Sequence, residues 1–300
     1  MVKYMQKEVT IMNQIQPIDL HCHSTHSDGT LTPAALVALA NQKGLAALAL
    51  TDHDTVSGVA EACTAAQGLP LEVIPGVELA AAYPHPLTGE ALEIHIVGLW
   101  IDPTEPDFAA AMTEFAQERA ARNDAMLSAL QRLGLPITAE DLSKAGGHGT
   151  ITRAHYAQAL QAKGLVASKK EAFQRYLGRG KPGYVSRKLP SFHRCIHLIQ
   201  NTGGVAVLAH ATLYGLSFPQ IRALAITLKE AGLSGIEVRY STFSSEETSF
   251  LTALAAELDL APSGGSDYHG TIKPDIALGT GRGNLFVPST FLPDLRARRS

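Results

Sequence analysis

Short apolar runs bounded by turn-forming residues recur along this chain, with apolar positions at helical spacing between them. The runs are Ile18–Leu20, Leu45–Leu50, Leu71–Val77, Glu93–Leu99, Val205–Ala209, Gly235–Val238 and Leu260–Pro262. Their length suits buried strands. The amphipathic stretches Pro33–Gln42, Val59–Gln67, Arg194–Asn201, Phe218–Ala231 and Ser245–Leu258 predict helices laid over the strands. Thr32-Pro33 and Ser217-Phe218-Pro219 supply a capping hydroxyl and a proline close to the first helical position. Strands alternating with helices predict a parallel sheet, and seven of them favour a closed α/β barrel over an open sheet. Pro262 lacks a donor and belongs at a strand end.

The rhythm breaks after Asp102-Pro103 and resumes near Lys188. That stretch is helical in pattern, beginning with Asp107–Leu133, which stops at Gly134-Leu135-Pro136. The expected organisation is a first barrel part over 17–103, a helical insertion domain over 104–188 beside the barrel mouth, and a second barrel part over 189–288. Residues 1–16 and 289–300 are expected to be flexible ends, the latter a solvated basic tail. Met5 and Met12 are alternative starts.

Potential metal ligands fall where barrel enzymes place their sites, at the ends of strands. His21 and His23 follow the first strand at alternating positions and face one side. Asp28 follows in Ser27-Asp28-Gly29, and the second strand runs into Thr51-Asp52-His53-Asp54. Glu78 ends the third run, His95 lies within the fourth, His210 ends the fifth, and Asp267 and His269 follow the seventh. A lone histidine at such a place is more often a hydrogen-bonded loop residue than a ligand. Six of the chain's 12 histidines beside three carboxylates are another matter, because burying them together without a cation is costly. Nitrogen and oxygen donors without thiolate suit Mn²⁺, Fe²⁺ or Zn²⁺ rather than Ca²⁺. Nine ligands exceed the needs of one ion, so two or three divalent ions are expected.

Composition narrows the setting. No apolar run approaches the ~20 residues of a membrane span, and no secretory signal is evident. Three cysteines, Cys22, Cys63 and Cys195, form no CxxC pair and no even framework. A cytoplasmic protein without membrane contact or obligate protein partner is expected. The net charge of −3 is uneven: residues 104–190 carry 13 Lys/Arg against 8 Asp/Glu, and the rest 12 against 20. A carboxylate-rich metal site facing a cationic insertion suits an anionic substrate.

The ordered motifs His21-Cys22-His23-Ser24, Ser27-Asp28-Gly29, Leu50-Thr51-Asp52-His53-Asp54, Gly76-Val77-Glu78, His95-Ile96-Val97-Gly98-Leu99, Ala209-His210 and Gly265-Ser266-Asp267-x-His269 resemble those of the polymerase and histidinol phosphatase (PHP) superfamily. The resemblance runs from about Pro17 to Phe286. It implies a distorted (β/α)7 barrel with a trinuclear cluster, often manganese, with Fe²⁺ or Zn²⁺ as alternatives. It places His21, His23, Asp28, His53, Glu78, His95, His210, Asp267 and His269 at ligand positions. The chain looks most similar to small bacterial members that dephosphorylate nucleoside 3′,5′-bisphosphates or trim short RNA and ribosomal RNA as 5′→3′ exoribonucleases. Those members carry a helical insert, matched here by Glu118-Arg119-Ala120-Ala121-Arg122, Ile151-Thr152-Arg153-Ala154-His155 and Gly180-Lys181-Pro182-Gly183-Tyr184-Val185. By resemblance, Arg119, Arg122 and Arg153 contact substrate phosphate; Lys181 lies in a loop able to approach a ligand. Ala154 stands where a hydroxyl residue is expected.

Physical sense agrees. Arg119 and Arg122, three apart on a helix, face one way and can form a bidentate phosphate clamp. Phosphate-ester hydrolysis requires accelerations of up to ~10²¹, and paired metal ions supply both an activated water and charge neutralisation. Asp28 and His210 are the catalytic candidates. Asp28 also meets substrate, and His210 is one source of the leaving-group proton, with a water on the cluster as the other. The rival readings are a histidinol-phosphate-type phosphatase, an amidohydrolase (disfavoured because no strand-end lysine occurs), and a non-catalytic metal- or nucleic-acid-binding PHP module.

Overall fold

The computed structural model describes residues 15–146 and 151–299. The expectation for the leader before residue 15 lies outside them. Seven strands, β1 (Ile18–Cys22), β2 (Ala47–Leu50), β3 (Glu72–Pro84), β4 (Ala91–Leu99), β5 (Val205–Leu208), β6 (Gly235–Tyr240) and β7 (Ala261–Gly265), form one sheet in sequential order. It curls nearly shut: His23 N–H donates to Tyr268 O at 2.9 Å and Asp267 N–H to His21 O at 2.8 Å, joining the β7 and β1 ends. The buried Asp19 reinforces this seam. It accepts from the Ser266 backbone at 2.9 Å, the Ser266 hydroxyl at 2.6 Å and Gly279 N–H at 2.8 Å.

The sheet is not wholly parallel. β4 runs antiparallel to both β3 and β5, while the other pairs are parallel. The cause is local. β3 continues past Glu78 through Leu79–Tyr83 and turns back within a few residues at Thr88-Gly89, where Gly89 has φ +68°. A parallel return would need a crossover of roughly a dozen residues or more. His95 therefore reaches the site from the middle of a reversed strand and Glu78 from the middle of the long β3, whereas His21, His53, His210, Asp267 and His269 lie at or just after the C-terminal ends of their strands.

Alternation along the strands sorts the core. Ile18, Leu20, Ala47, Ala49, Ile74, Val97, Leu99, Val205 and Val207 fill the barrel. Leu48, Leu50 and Cys22 face outward under helices α1 (Pro33–Gln42) and α2 (Val59–Ala65). A register shift between Asp19 and Cys22 changes the parity of β1, so that Cys22 packs outward and His21 and His23 turn inward.

Helix α3 (Pro106–Arg132) links barrel and insertion. Pro106 opens it, and the Glu105 side chain caps Asp107 and Phe108 N–H. Its 27 residues span about 40 Å at 1.5 Å rise per residue. Phe108, Ala111, Met112 and Phe115 belong to the barrel-side core, together with Cys195 and Ile199 of α7 (Phe192–Asn201). Met126 and Leu130 belong to a separate insertion core with Leu142 of α4 (Ala139–Gly146), Tyr156 and Leu160 of α5 (Arg153–Ala162), Ala172 of α6 (Lys169–Ala172) and Leu177. The packing boundary falls within α3 rather than at residue 104. Helices α8 (Phe218–Glu230) and α9 (Ser245–Glu257) complete the barrel's outer layer.

The C-terminal stretch is structured where a flexible tail is expected. Helix α10 (Leu292–Ala297) buries Leu292 and Leu295 in the barrel core, and its basic residues find acids, Arg296 on Glu72 and Arg298 on Asp259 at 2.6 Å. Cys22, Cys63 and Cys195 are free thiols. Among the described residues, no helix is long and apolar enough to cross a membrane.

Asp19→Ala will leave several buried donors unsatisfied along the closing seam. Each costs ~1–3 kcal/mol, so a loss on the order of 3 kcal/mol or more is expected as a lower thermal midpoint of metal-free protein. A midpoint equal to wild type would show that the seam holds without this carboxylate.

Candidate metal centre

The nine side chains singled out from the sequence converge. His23, Asp28, His53 and His269 form one group able to hold a cation; His21, Glu78 and His210 a second; His21, His23 and Asp267 a third; His53, Glu78 and His95 a fourth. Glu78 is the hub. Its Oε1 lies 2.7 Å from His95 Nδ1 and 3.0 Å from His210 Nε2. Its Oε2 lies 2.9 Å from His53 Nδ1, 3.3 Å from His23 Nε2 and 3.4 Å from His21 Nε2. Asp28 Oδ1 stands 3.2 Å from His269 Nε2, and Asp267 Oδ1 3.2 Å from His23 Nε2.

A cation fits this donor set. Four buried atoms in it, His21 Nε2, His23 Nε2, Asp28 Oδ1 and Glu78 Oε2, have no hydrogen-bond partner. Buried polar atoms are rarely left so. Protonation follows the same logic. Burial and the neighbouring His269 and His53 push His23 down to about 3, leaving a neutral ring with a free lone pair. Burial alone would raise the Glu78 carboxyl, yet His53, His95 and His21 hold it well below the usual range. Burial opposes a charge on His95 too, but Glu78 and Glu93 push that ring up to about 10. Positive charge is demanded at the hub, and a bound metal cation would supply it in place of these protons.

Buried polar residues outside the nine hold the ligands. Ser24 and Ser27 hydroxyls donate to Asp52 at 2.6 and 2.5 Å, bracing the loop that carries Asp28. Tyr240 Oη and Lys273 Nζ each lie 2.6 Å from Asp267 Oδ2, leaving Oδ1 turned to the imidazoles. Glu237 accepts from His21 Nδ1 at 2.8 Å and from His210 N–H at 2.7 Å. Sequence reading passed over Glu237 and Lys273; a glutamate inside the apolar run Gly235–Val238 was the available signal.

Above the cluster lies a cavity of about 400 Å³. Asp28, His53, His95 and His210 border it from the barrel, and Arg119, Arg122, Arg153 and Arg187 from the insertion. Phe173, Tyr184, Leu213 and Tyr214 add apolar wall. Asp54 accepts from Arg119 and, at 2.7 Å, from Arg187; burial opposes its charge, but the two guanidiniums hold it down to about 2. Arg122 is buried, has no carboxylate partner among the described residues, and touches Met126 Sδ at 3.3 Å. Burial, with Arg119, Arg187 and Arg153 close by, pushes it down to about 10. Arg153 lies 3.7 Å from Glu93 and over the Tyr184 ring. Lys181 is exposed and does not border the cavity, because the turn through Gly180, at φ +75°, brings Tyr184 and Val185 to the wall instead. Arg187 was missed because no motif flags it. His155 caps α5 by accepting from Thr152 N–H at 3.0 Å, and His193 and His197 are exposed.

Residues 19–176 match the PHP domain family. The chain is 38% identical over 251 residues to a 5′-3′ exoribonuclease of Haemophilus influenzae, covering 84% of this chain and 89% of that protein. It is 35% identical over 253 residues to a 3′,5′-nucleoside bisphosphate phosphatase of Chromobacterium violaceum, covering 84% and 87%. A solved structure described as an amidohydrolase from Chromobacterium violaceum, with bound sulfate and no metal, superposes with a TM-score of 0.83 at 33% identity, covering 94% of this chain and 96% of that one. With residues 19–176 matching the family and a relative 38% identical over 84% of the chain, this protein belongs to the PHP domain family.

Proposed function

We propose that this chain is a metal-dependent phosphoesterase acting on nucleotides, removing the 3′-phosphate of nucleoside 3′,5′-bisphosphates and/or trimming 5′-phosphorylated short RNA from its 5′ end. The observation that carries the reading is the placing of nine imidazole and carboxylate ligands beneath a cavity bordered by four arginines. The relatives named for exoribonuclease and bisphosphate phosphatase activity support the same substrate class. His21, His23, Asp28, His53, Glu78, His95, His210, Asp267 and His269 are the proposed ligands of two or three ions, manganese first, with Fe²⁺ or Zn²⁺ as alternatives. When bound, such ions supply Lewis-acid polarisation of the phosphoryl group and a water acidic enough to attack near neutral pH.

The chain's own side chains do the rest. Glu78, facing five imidazoles, is suited to join neighbouring cation sites. Asp28 borders the cavity and can both bind a cation and meet the substrate. His210 also borders it and is the proposed source of the proton passed to the leaving ribose oxygen. Arg119, Arg122, Arg153 and Arg187 receive phosphate charge, with charge-assisted hydrogen bonds that strengthen in a water-poor site. The Tyr184 and Phe173 side of the cavity offers an apolar surface to the nucleoside.

Manganese-loaded protein offered adenosine 3′,5′-bisphosphate, a short 5′-phosphorylated RNA and histidinol phosphate will show its highest kcat/KM with one of the first two. Preference for histidinol phosphate would replace this reading with the small-molecule alternative, and release of neither phosphate nor mononucleotide from any of them would leave a binding module. Asp28→Ala and Glu78→Ala will each abolish turnover while the far-ultraviolet circular dichroism stays that of wild type; retained wild-type turnover in either would defeat the metal assignment. Arg119→Ala and Arg122→Ala will raise KM for the bisphosphate roughly 10- to 100-fold, the effect of losing a charged hydrogen bond of ~1.5–3 kcal/mol, and will raise it less for p-nitrophenyl phosphate. Equal changes for both substrates would remove the insertion from substrate selection.

A further inference from the structure

Glu237 is buried in the middle of β6, and alternation turns it away from the outward-packed Ile236 and Val238. Among the described residues no lysine or arginine pairs with it, and its acidic oxygens face two N–H groups from two other parts of the barrel. Oε1 accepts from the His21 ring at Nδ1, 2.8 Å away, and Oε2 from the His210 backbone N–H, 2.7 Å away.

Both donors belong to ligand residues whose placement needs explaining. His21 has a ring with two nitrogens, and only the tautomer protonated at Nδ1 leaves the Nε2 lone pair free. That Nε2 lies 3.4 Å from Glu78 Oε2 and 3.6 Å from Asp267 Oδ1, with no hydrogen-bond partner. His210 sits at φ 27°, ψ 51°, in the left-handed region that a non-glycine residue enters at a cost of order 1–3 kcal/mol. That backbone turn carries its ring to within 3.0 Å of Glu78.

We propose that Glu237 is a positioning residue for two metal ligands at once. One oxygen fixes the His21 tautomer and ring orientation, and the other holds the His210 backbone in its left-handed turn. A carboxylate on the far nitrogen of a ligating imidazole orients the ring and raises its basicity, and losing such a partner costs 10–100-fold in metal affinity or activity. Here a single side chain serves β1 and the end of β5 together, so its loss disturbs two ligands. The inference rests on the reading that the cluster holds cations.

The informative variant is Glu237→Gln, which keeps the shape but can accept from only one donor, its amide N–H₂ facing the other. Competitive titration of metal-free protein with Zn²⁺ against a chromophoric chelator will give an affinity 10- to 100-fold weaker than wild type, with the metal-free thermal midpoint held within a few degrees. An affinity within twofold of wild type overturns the proposal. A second measurement needs no variant in the final sample: long-range ¹H–¹⁵N spectra of zinc-loaded wild-type protein, with His21 assigned by comparison with His21→Gln, will show its proton on Nδ1. A proton on Nε2 overturns the proposal even where Glu237→Gln fails to fold. Wild-type protein that takes up no Zn²⁺ or Mn²⁺ would instead sink the underlying metal reading, which separates the two failures.

Discussion

One buried carboxylate facing five imidazoles sets the terms for this fold. Glu78 cannot be solvated, since its side chain is almost wholly removed from water, and among the described residues no lysine or arginine forms an ion pair with it. The surrounding rings compete for few protons: His23 is driven neutral while His95 is driven charged. Such frustration among closely packed titratable groups is costly in a low-dielectric interior. A bound cation would resolve it by replacing several shared protons with one fixed charge. The close approach of β1 to β7, the shift of register in β1 and the left-handed turn at His210 all serve to bring donors to that point.

The insertion stands in a definite relation to this centre because α3 is long and belongs to two cores. Its first half is fastened to the barrel by Phe108 and Phe115, and its second to the insertion by Met126 and Leu130. Arg119 and Arg122 lie between those anchors, at the cavity. Asp54, the residue after His53, accepts from both Arg119 and Arg187. The same short segment that brings His53 to the cluster therefore also anchors the cationic wall, so the two halves of the site keep register with each other.

Much of this was legible in the amino-acid sequence, and the reasons differ by element. Parallel strands flanked by helices announce themselves through apolar runs and caps, and the convergence of His21, His53 and His269 was visible because histidine is scarce enough to stand out. The reversal of β4 was not read. Leu79–Tyr83 continues an apolar run already counted as complete, and only the short distance to Ala91 forbids a helical crossover. Asp19 and Lys273 were hidden for a related reason: they act through geometry between segments distant in sequence, for which spacing carries no signal, whereas Glu237 left the one cue of an acid inside an apolar run. The C-terminal helix was misjudged because its arginines looked like a tail, while Leu292 and Leu295, which determine its packing, are too few to establish a period.

The arginine wall carries the last step toward substrate class. Arg119 and Arg187 share one carboxylate, Arg153 has Glu93 at the longer distance of 3.7 Å, and Arg122 has no carboxylate partner among the described residues. Unpartnered Nε atoms remain on both Arg119 and Arg122. Clustered guanidiniums repel one another, and burial first, with Arg119, Arg187 and Arg153 beside it, pushes Arg122 down to about 10. A surface this strained in its free state gains most from a ligand bringing more than one negative charge, because each additional phosphate oxygen satisfies a donor and relieves a repulsion at once. A small zwitterion, with its own ammonium group, would relieve less and add a cation. The charge arrangement thus favours a phosphorylated nucleotide or RNA end over a singly phosphorylated amino alcohol, on grounds separate from the similarity to known relatives.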